Sequence, residues 1–384
     1  MAASGWVRAA VVLVTLAAMI RVSLPNVPRQ YIDFSRFPIL DGIPQKATYG
    51  TDTVSDMYGA KVVLNDVTDM YTRAKLEQTP LEARTWTKEQ SAPYPPAALL
   101  IEAGLYAAGE WTGIGFYGMI LGLAGVFILL SLLYFLKTRW YLFPLLYLNF
   151  SYFSERFVYV QDDTYLIMLV VVMAALFAAR RRSDACHPLV ALATTIKLSP
   201  LYYVKNILGM KRRTAALFLA ILGAGLVLPV FIWDSYLYIF RYGNEVKGHP
   251  WSGVGAAAVA IPFALVTWYI ETRLAFDRED RVGWGLVPIA LFFALKMNVA
   301  RHLLVVLLVP DKRATRNVAA AVGLAVPTLL PGLVRFNSSL AIAAVVLVAG
   351  LAGCFRQIGW DVVRDDLRHP GRTAALMLGR RSST

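Results

Sequence analysis

The chain has 384 residues, of which 57% are hydrophobic and only 16% charged, and its mean hydropathy is +0.53. Ordinary soluble domains carry about 25% charged residues, so this composition excludes that class and points to an integral membrane protein. The formal charge of +13 falls in short basic clusters between apolar runs, as in the loops on one side of a membrane protein, which argues against nucleic acid as a partner.

In chain order, the first apolar run is Val7 to Leu24, which has only Arg8 near its start and no small-residue cleavage site. It reads as an uncleaved first helix. A long segment from Pro25 to about Pro95 follows, too long for a simple connector. Further apolar runs are expected over Gly113–Leu136, Tyr141–Phe157, Thr164–Ala179, Pro188–Leu208, Ala215–Trp233, Val254–Ile270, Trp284–Asn298, Leu303–Pro310, Val318–Leu333 and Ser339–Phe355. Basic residues lie between them at Lys137 and Arg139, Arg180–Arg182, Lys211–Arg213, Arg273 with Arg278 and Arg281, Lys312 with Arg313 and Arg316, and after Arg356. Placing all of these in the cytoplasm puts both termini inside and requires the stretch between Arg182 and Lys211 to enter and return, as two short helices or a re-entrant hairpin with Lys197 near its tip. The expected fold is an all-α, polytopic transmembrane bundle of roughly ten to twelve spans. Residues 1–355 would form one membrane domain, with the loop 25–95 outside and 356–384 a basic cytoplasmic tail. Cys186 and Cys354 match no metal spacing or evident disulfide pair and read as structural.

Within the outer loop, "TDTVSDMYGAKVVLNDVTDMY" at 51–71 holds four aspartates in an otherwise apolar chain. Tyr58, Val62 and Val63 fit the apolar face of a helix lying on the membrane, with Asp56 near its positive N-terminal end. Asp66 and Asp69 read as solvated helix and turn residues. Lys197 is an ionisable group in a mostly apolar segment, costly in lipid unless it snorkels or finds a partner. Asp52, Asp56, Asp162 and Asp163 offer oxygen ligands for a divalent cation, although loop carboxylates are more often simply solvated.

The series from Asp56 through Tyr58, Ala60, Leu64 and "TDMY" to "PYPPAALL" at 93–100 resembles the opening of the C-type, polyprenol-phosphate-dependent membrane glycosyltransferases, in particular their mannosyltransferase-like family. "YVQDDTYLIMLVVVMAALFAARRR" with the following "LVALATTIKLSPLYYV" is similar to that family's Gly-Gln-x-Asn turn, descending helix, basic end and Ile-Lys-x-x-Pro segment, and "LKMNVARHLLVVLLVP" occupies the place of its late His-His segment. Val160 replaces the glycine, Asp163 the asparagine, and His302 stands where the family has two histidines.

The resemblance spans roughly residues 50–310 and implies transfer of a hexose, with mannose the first to consider, from a polyprenyl-phosphate donor to a lipid-linked or glycan acceptor. That chemistry needs a base for the acceptor hydroxyl and cations for the departing phosphate. By match to the family, Asp56 is the candidate base, with Asp52 one turn earlier as its competitor, and Lys197, Arg301 and His302 are the candidate phosphate contacts. Arg156 and Gln161, and His249 with Trp251, are candidate substrate contacts, the last by stacking on sugar. With those cations available, no metal or other cofactor is expected. The implied partners are the lipid-phosphate donor, the acceptor and the surrounding lipid. The implied location is a plasma or inner membrane with the site on the extracytoplasmic face. A secondary transporter would instead call for paired halves, and no internal repeat is visible. A non-catalytic scaffold would need none of these ordered motifs, and a lipid-linked oligosaccharide polymerase or ligase usually carries its large outer loop late in the chain.

Overall fold

The computed structural model describes residues 94–135, 163–233, 236, 253–297 and 338–378, together with Gly5, Trp6, Ala9, Ala10, Leu13, Ala60, Val63–Asn65 and Val67. Among the described residues the chain is helical throughout, with no strand. In chain order the elements are α1 (Pro96–Thr112), α2 (Gly115–Phe135), α3 (Asp163–Arg180), α4 (Cys186–Ile196), a 3₁₀ segment (Ser199–Gly209), α5 (Arg212–Leu222), a π turn (Gly223–Val227), α6 (Pro229–Ile232), α7 (Gly253–Arg273), α8 (Arg278–Trp284), α9 (Val287–Met297), α10 (Ser338–Ile358), α11 (Trp360–Arg368) and α12 (Pro370–Met377).

Two stretches are long and apolar enough to cross a membrane, Arg212–Ile232 and Gly253–Arg273. Among the described residues these are the stretches that pass on length and apolarity, and only 17% and 22% of their apolar windows are buried within the protein, which favours a lipid-facing over a core location. Phe231 and Val254 are each 80% exposed, which water would penalise and a lipid surface would not. The runs expected at Thr164–Ala179, Val254–Ile270, Ala215–Trp233, Gly113–Leu136 and Ser339–Phe355 are helical to within a few residues. Those at Val7–Leu24, Tyr141–Phe157, Leu303–Pro310 and Val318–Leu333 lie wholly or largely outside the described residues. The run at Trp284–Asn298 is divided, α8 ending on Trp284 and α9 opening at Val287.

The described residues form two units that interleave along the chain. The first comprises Met1–Ala175, His187–Leu198 and Met210–Val246. Its α1 was not expected as a helix, because Glu102, Gly104, Gly109 and Glu110 interrupt the apolar run. The stop signals were nevertheless present. Pro96 opens the helix, where a missing N–H costs nothing, and Gly113 closes it in the left-handed region at φ 71°. α1 then packs against α2, with Tyr106 and Phe116 rings 6.1 Å apart.

The π turn presses Gly225 onto α4 so closely that an added Cβ would overlap the Thr195 methyl and Cβ. Gly225→Val is therefore expected to destabilise the protein by about 1–3 kcal/mol through overpacking, seen as a lower thermal midpoint in detergent.

The second unit comprises Leu176–Cys186, Ser199–Gly209 and Lys247–Thr384. α9 and α10 pack along α7, and Ile270, Phe276, Trp284, Val287, Leu347 and Cys354 form its apolar core. Two of the basic clusters expected on one membrane face are joined here. Arg180 pairs with Glu279 at 3.0 Å, and Arg278 reaches both Asp184 at 2.7 Å and the Arg182 carbonyl at 2.8 Å. The Asp277 carboxylate caps α8 by accepting from Asp280 N at 2.9 Å. Deeper in this unit Lys205 pairs with Glu271, 3% exposed, and lies 4.9 Å from the Tyr202 ring centre. Such a buried pair contributes little net stability but is costly to break on one side only.

The region read as a basic tail is helical in this unit. α10 runs on to Ile358, Gly359 reverses the backbone at φ 89°, a conformation that disfavours any side chain, and α11 and α12 follow. Asp366 anchors α11 to the end of α7 by accepting from Arg273 Nε at 2.8 Å and Tyr269 Oη at 2.6 Å, with a further bond from Arg273 Nη2. Burial pushes the Asp366 carboxyl up, but those hydrogen bonds and the Arg273 charge outweigh it and hold the group below the usual carboxylate range. The anchor's contribution is thus fully present above the ordinary carboxylate pKa and is lost only as pH falls through the lower folded value.

Candidate functional site

α4 ends where the sequence says it must. Pro200 disfavours helical backbone at Ser199, so the helix stops at Ile196, the Lys197 N–H closes the last turn on Ala193 O at 3.0 Å, and the chain re-forms as 3₁₀ from Ser199. The stretch between Arg182 and Lys211 accordingly comprises two short helical pieces, with the break at Lys197 and Leu198. Eleven residues of α4 rise about 16 Å, roughly half of a ~30 Å hydrocarbon core. Lys197 therefore stands about 16 Å along the helix axis from the basic turn at which α4 starts.

Its ammonium lies 5.7 Å from the ring centre of Tyr94 and 5.2 Å from that of Tyr165. A cation at this range over an aromatic ring is stabilised by about 0.5–2 kcal/mol, more where water is excluded. Tyr165 is 3% exposed, while Lys197 and Tyr94 are half-buried. The carbonyl end of α4 also favours positive charge there. The neighbouring hydroxyls are occupied by backbone, Thr194 Oγ1 donating to Val190 O and Thr195 Oγ1 to Leu192 O, each at 2.8 Å.

Three sequence segments thus meet at one point. Tyr94 comes from "PYPP", where Pro95 and Pro96 hold the backbone extended before α1 begins. Tyr165 stands two residues into α3, just after the "QDD" stretch of sequence, and Lys197 comes from "IKLSP". A fourth joins through Tyr94, which packs on a cluster of Ala60, Val63, Leu99, Ala103 and Tyr236, bordered by Tyr106, Val230 and Trp233. Trp233 Nε1 also donates to Val67 O at 3.1 Å.

In the expected interfacial helix, the described residues 60 and 63–65 are helical. Ala60 is fully buried and Val63 is 7% exposed, so the apolar edge of this piece rests on protein, namely α1, Trp233 and Tyr236. Val63 was expected on the membrane-facing side of this helix and is buried instead, because it stands three positions after Ala60 and both join the cluster with Leu99 and Ala103 of α1.

Of the side chains singled out by sequence, only Lys197 falls in the described residues with its surroundings. Asp56, Asp52, Asp162, Arg156, Gln161, His249, Trp251, Arg301 and His302 lie outside them, and of Asp163 only the helix position is described. Tyr94 and Tyr165 were missed as site residues although both lie inside the quoted motifs. The available signal was an aromatic residue inside each motif, of the kind that stabilises a lysine held in an apolar segment. Among the described residues, no three His, Cys, Asp or Glu side chains gather as a metal site would require.

No protein-family model matches this chain, and neither a curated protein nor a solved structure does.

Proposed function

We propose that the protein is a polytopic membrane glycosyltransferase that moves a hexose, mannose being the first to test, from a polyprenyl-phosphate donor to a lipid-linked or glycan acceptor on the extracytoplasmic side. The observation carrying this reading is the meeting of "PYPP", the start of α3 and "IKLSP" around the Lys197 ammonium, with the segment after Asp56 packed against Tyr94. An ionisable group held within an apolar segment is by default a candidate functional group, and here three of the quoted motifs supply its surroundings.

In the proposed reaction the acceptor hydroxyl oxygen forms a bond to the sugar's anomeric carbon as the bond from that carbon to the phosphate oxygen breaks. Asp56 takes the hydroxyl proton. Lys197 neutralises the charge accumulating on the departing polyprenyl phosphate, assisted by Arg301 and His302. Asp56 precedes Ala60 by four residues, a tether of about 14 Å at full stretch, which keeps the base in the neighbourhood of that cluster. Arg156, Gln161, His249 and Trp251 would hold the donor and acceptor sugars, and no metal is invoked.

The test is the purified full chain in proteoliposomes with a radiolabelled polyprenyl-phosphate hexose and extracted glycolipids. The expected result is labelled glycolipid with stoichiometric release of polyprenyl phosphate, matched by a missing hexose in glycolipid mass spectra of cells lacking the chain. An untouched donor and unchanged glycolipids would sink the proposal.

A further inference from the structure

The end of α7 carries a second, unrelated feature. α11 has an edge of Trp360, Val363 and Leu367, spaced as one helical stripe, in which Trp360 is 65% and Leu367 77% exposed. Arg364 and Arg368 border that stripe on one side, Asp366 anchors the other, and Asp361 and Asp365 lie opposite. Those two acids are engaged with the tail itself, Asp361 lying 3.8 Å from Arg364, and Asp365 lying 3.3 Å from His369 and 3.9 Å from Arg372. Among the described residues Arg356 and Arg368 form no ion pair.

We propose that this edge of α11 lies in the headgroup layer of anionic lipid at the membrane face where α7 ends. Three observations choose lipid over other occupants. The hydrogen bonds from Arg273 and Tyr269 to Asp366 fix α11 at the terminus of a helix long and apolar enough to span, so the bilayer surface is the nearest apolar phase. Trp360 stacks on Phe355 in the last turn of α10, 5.8 Å away and nearly parallel, which holds its amphipathic ring at the level where that helix ends. Arginines beside an apolar stripe match a negatively charged surface. Thr373 Oγ1, donating to Asp366 O at 3.0 Å, ties the start of α12 to the same anchor. The proposal does not depend on the transfer chemistry.

The test uses the full chain in nanodiscs, spin-labelled at Leu367→Cys or, as a control, at Asp361→Cys. Cys186 and Cys354 are buried, so the added site takes the label. In discs containing phosphatidylglycerol, the label at 367 is expected to be several-fold more accessible to oxygen and less accessible to a water-soluble nickel chelate than the label at 361. Arg364→Gln with Arg368→Gln should return it toward water, and discs of phosphatidylcholine alone should give the weaker contrast. Equal chelate accessibility at 361 and 367 in anionic discs would place α11 in water and overturn the proposal. So would dipolar broadening that disappears on dilution with unlabelled protein, which would assign the edge to a second copy of the chain.

Discussion

Lys197→Met is expected to lower kcat/KM for a polyprenyl-phosphate sugar by about 100-fold or more, equivalent to ~2.7 kcal/mol of transition-state stabilisation, while leaving the amount of folded protein nearly unchanged. The charge on the leaving phosphate grows as its bond to the sugar breaks, so a cation beside it contributes more in the transition state than in the bound donor. Methionine keeps the length and volume of the lysine stem, and its sulfur rests favourably against aromatic rings, so the packing with Tyr94 and Tyr165 survives. Tyr94→Phe and Tyr165→Phe keep both ring faces and should cost little. Tyr94→Ala and Tyr165→Ala remove a face and should reduce turnover by loosening the ammonium. Lys197→Arg retains charge but exchanges a compact ammonium for a planar fork, and should recover activity only in part. If Lys197→Met instead turns over donor at the original rate, the lysine is a cation parked between two rings, and the proposed chemistry loses its best-supported residue.

What the sequence disclosed follows from what kind of force fixes each feature. Gly253–Arg273 and Asp163–Arg180 were legible because continuous apolarity alone drives a helix out of water, whatever surrounds it. The joining of Arg180 to Glu279 and of Arg278 to Asp184 was not legible, because a pattern of basic clusters names no acidic partner for any of them. The break at Lys197 follows from Pro200 acting on its neighbour. α1 escaped notice because Glu102, fully buried, makes the helix look too polar for the interior, although Pro96 and Gly113 mark its ends.

The site itself was readable only as separate pieces. No periodicity relates Tyr94, Tyr165 and Lys197, and their meeting is set by tertiary packing, which a hydropathy profile does not encode. The α11 anchor is similar. Asp366 looks like one more charge in a polar tail, and only its hydrogen bonds with Tyr269 and Arg273 distinguish it from Asp361 and Asp365.

Asp56→Asn is expected to reduce sugar transfer by about 100- to 10,000-fold with expression, membrane insertion and donor affinity close to normal, because asparagine keeps the size and polarity of the side chain but accepts no proton at working pH. The lower bound is what a general base typically contributes, and misalignment of the acceptor would add to it. Asp56 is preferred to Asp52 because it matches the family's first-loop carboxylate and stands one turn before Ala60, whose helical segment packs into the cluster shared with Tyr94. Asp66 and Asp69, read as solvated, should tolerate Asn with modest effects, which controls for a general loss of loop charge. The comparison is made on purified variants with one polyprenyl-phosphate hexose, measuring both product formation and release of the lipid phosphate. A base acting only on the acceptor should leave donor Kd unchanged and depress kcat, whereas a carboxylate that merely organises the loop should weaken binding as well. Full activity in Asp56→Asn alongside an inactive Asp52→Asn moves the base one turn earlier. Full activity in both would remove this loop from the chemistry and leave Lys197 without the base that the reaction requires.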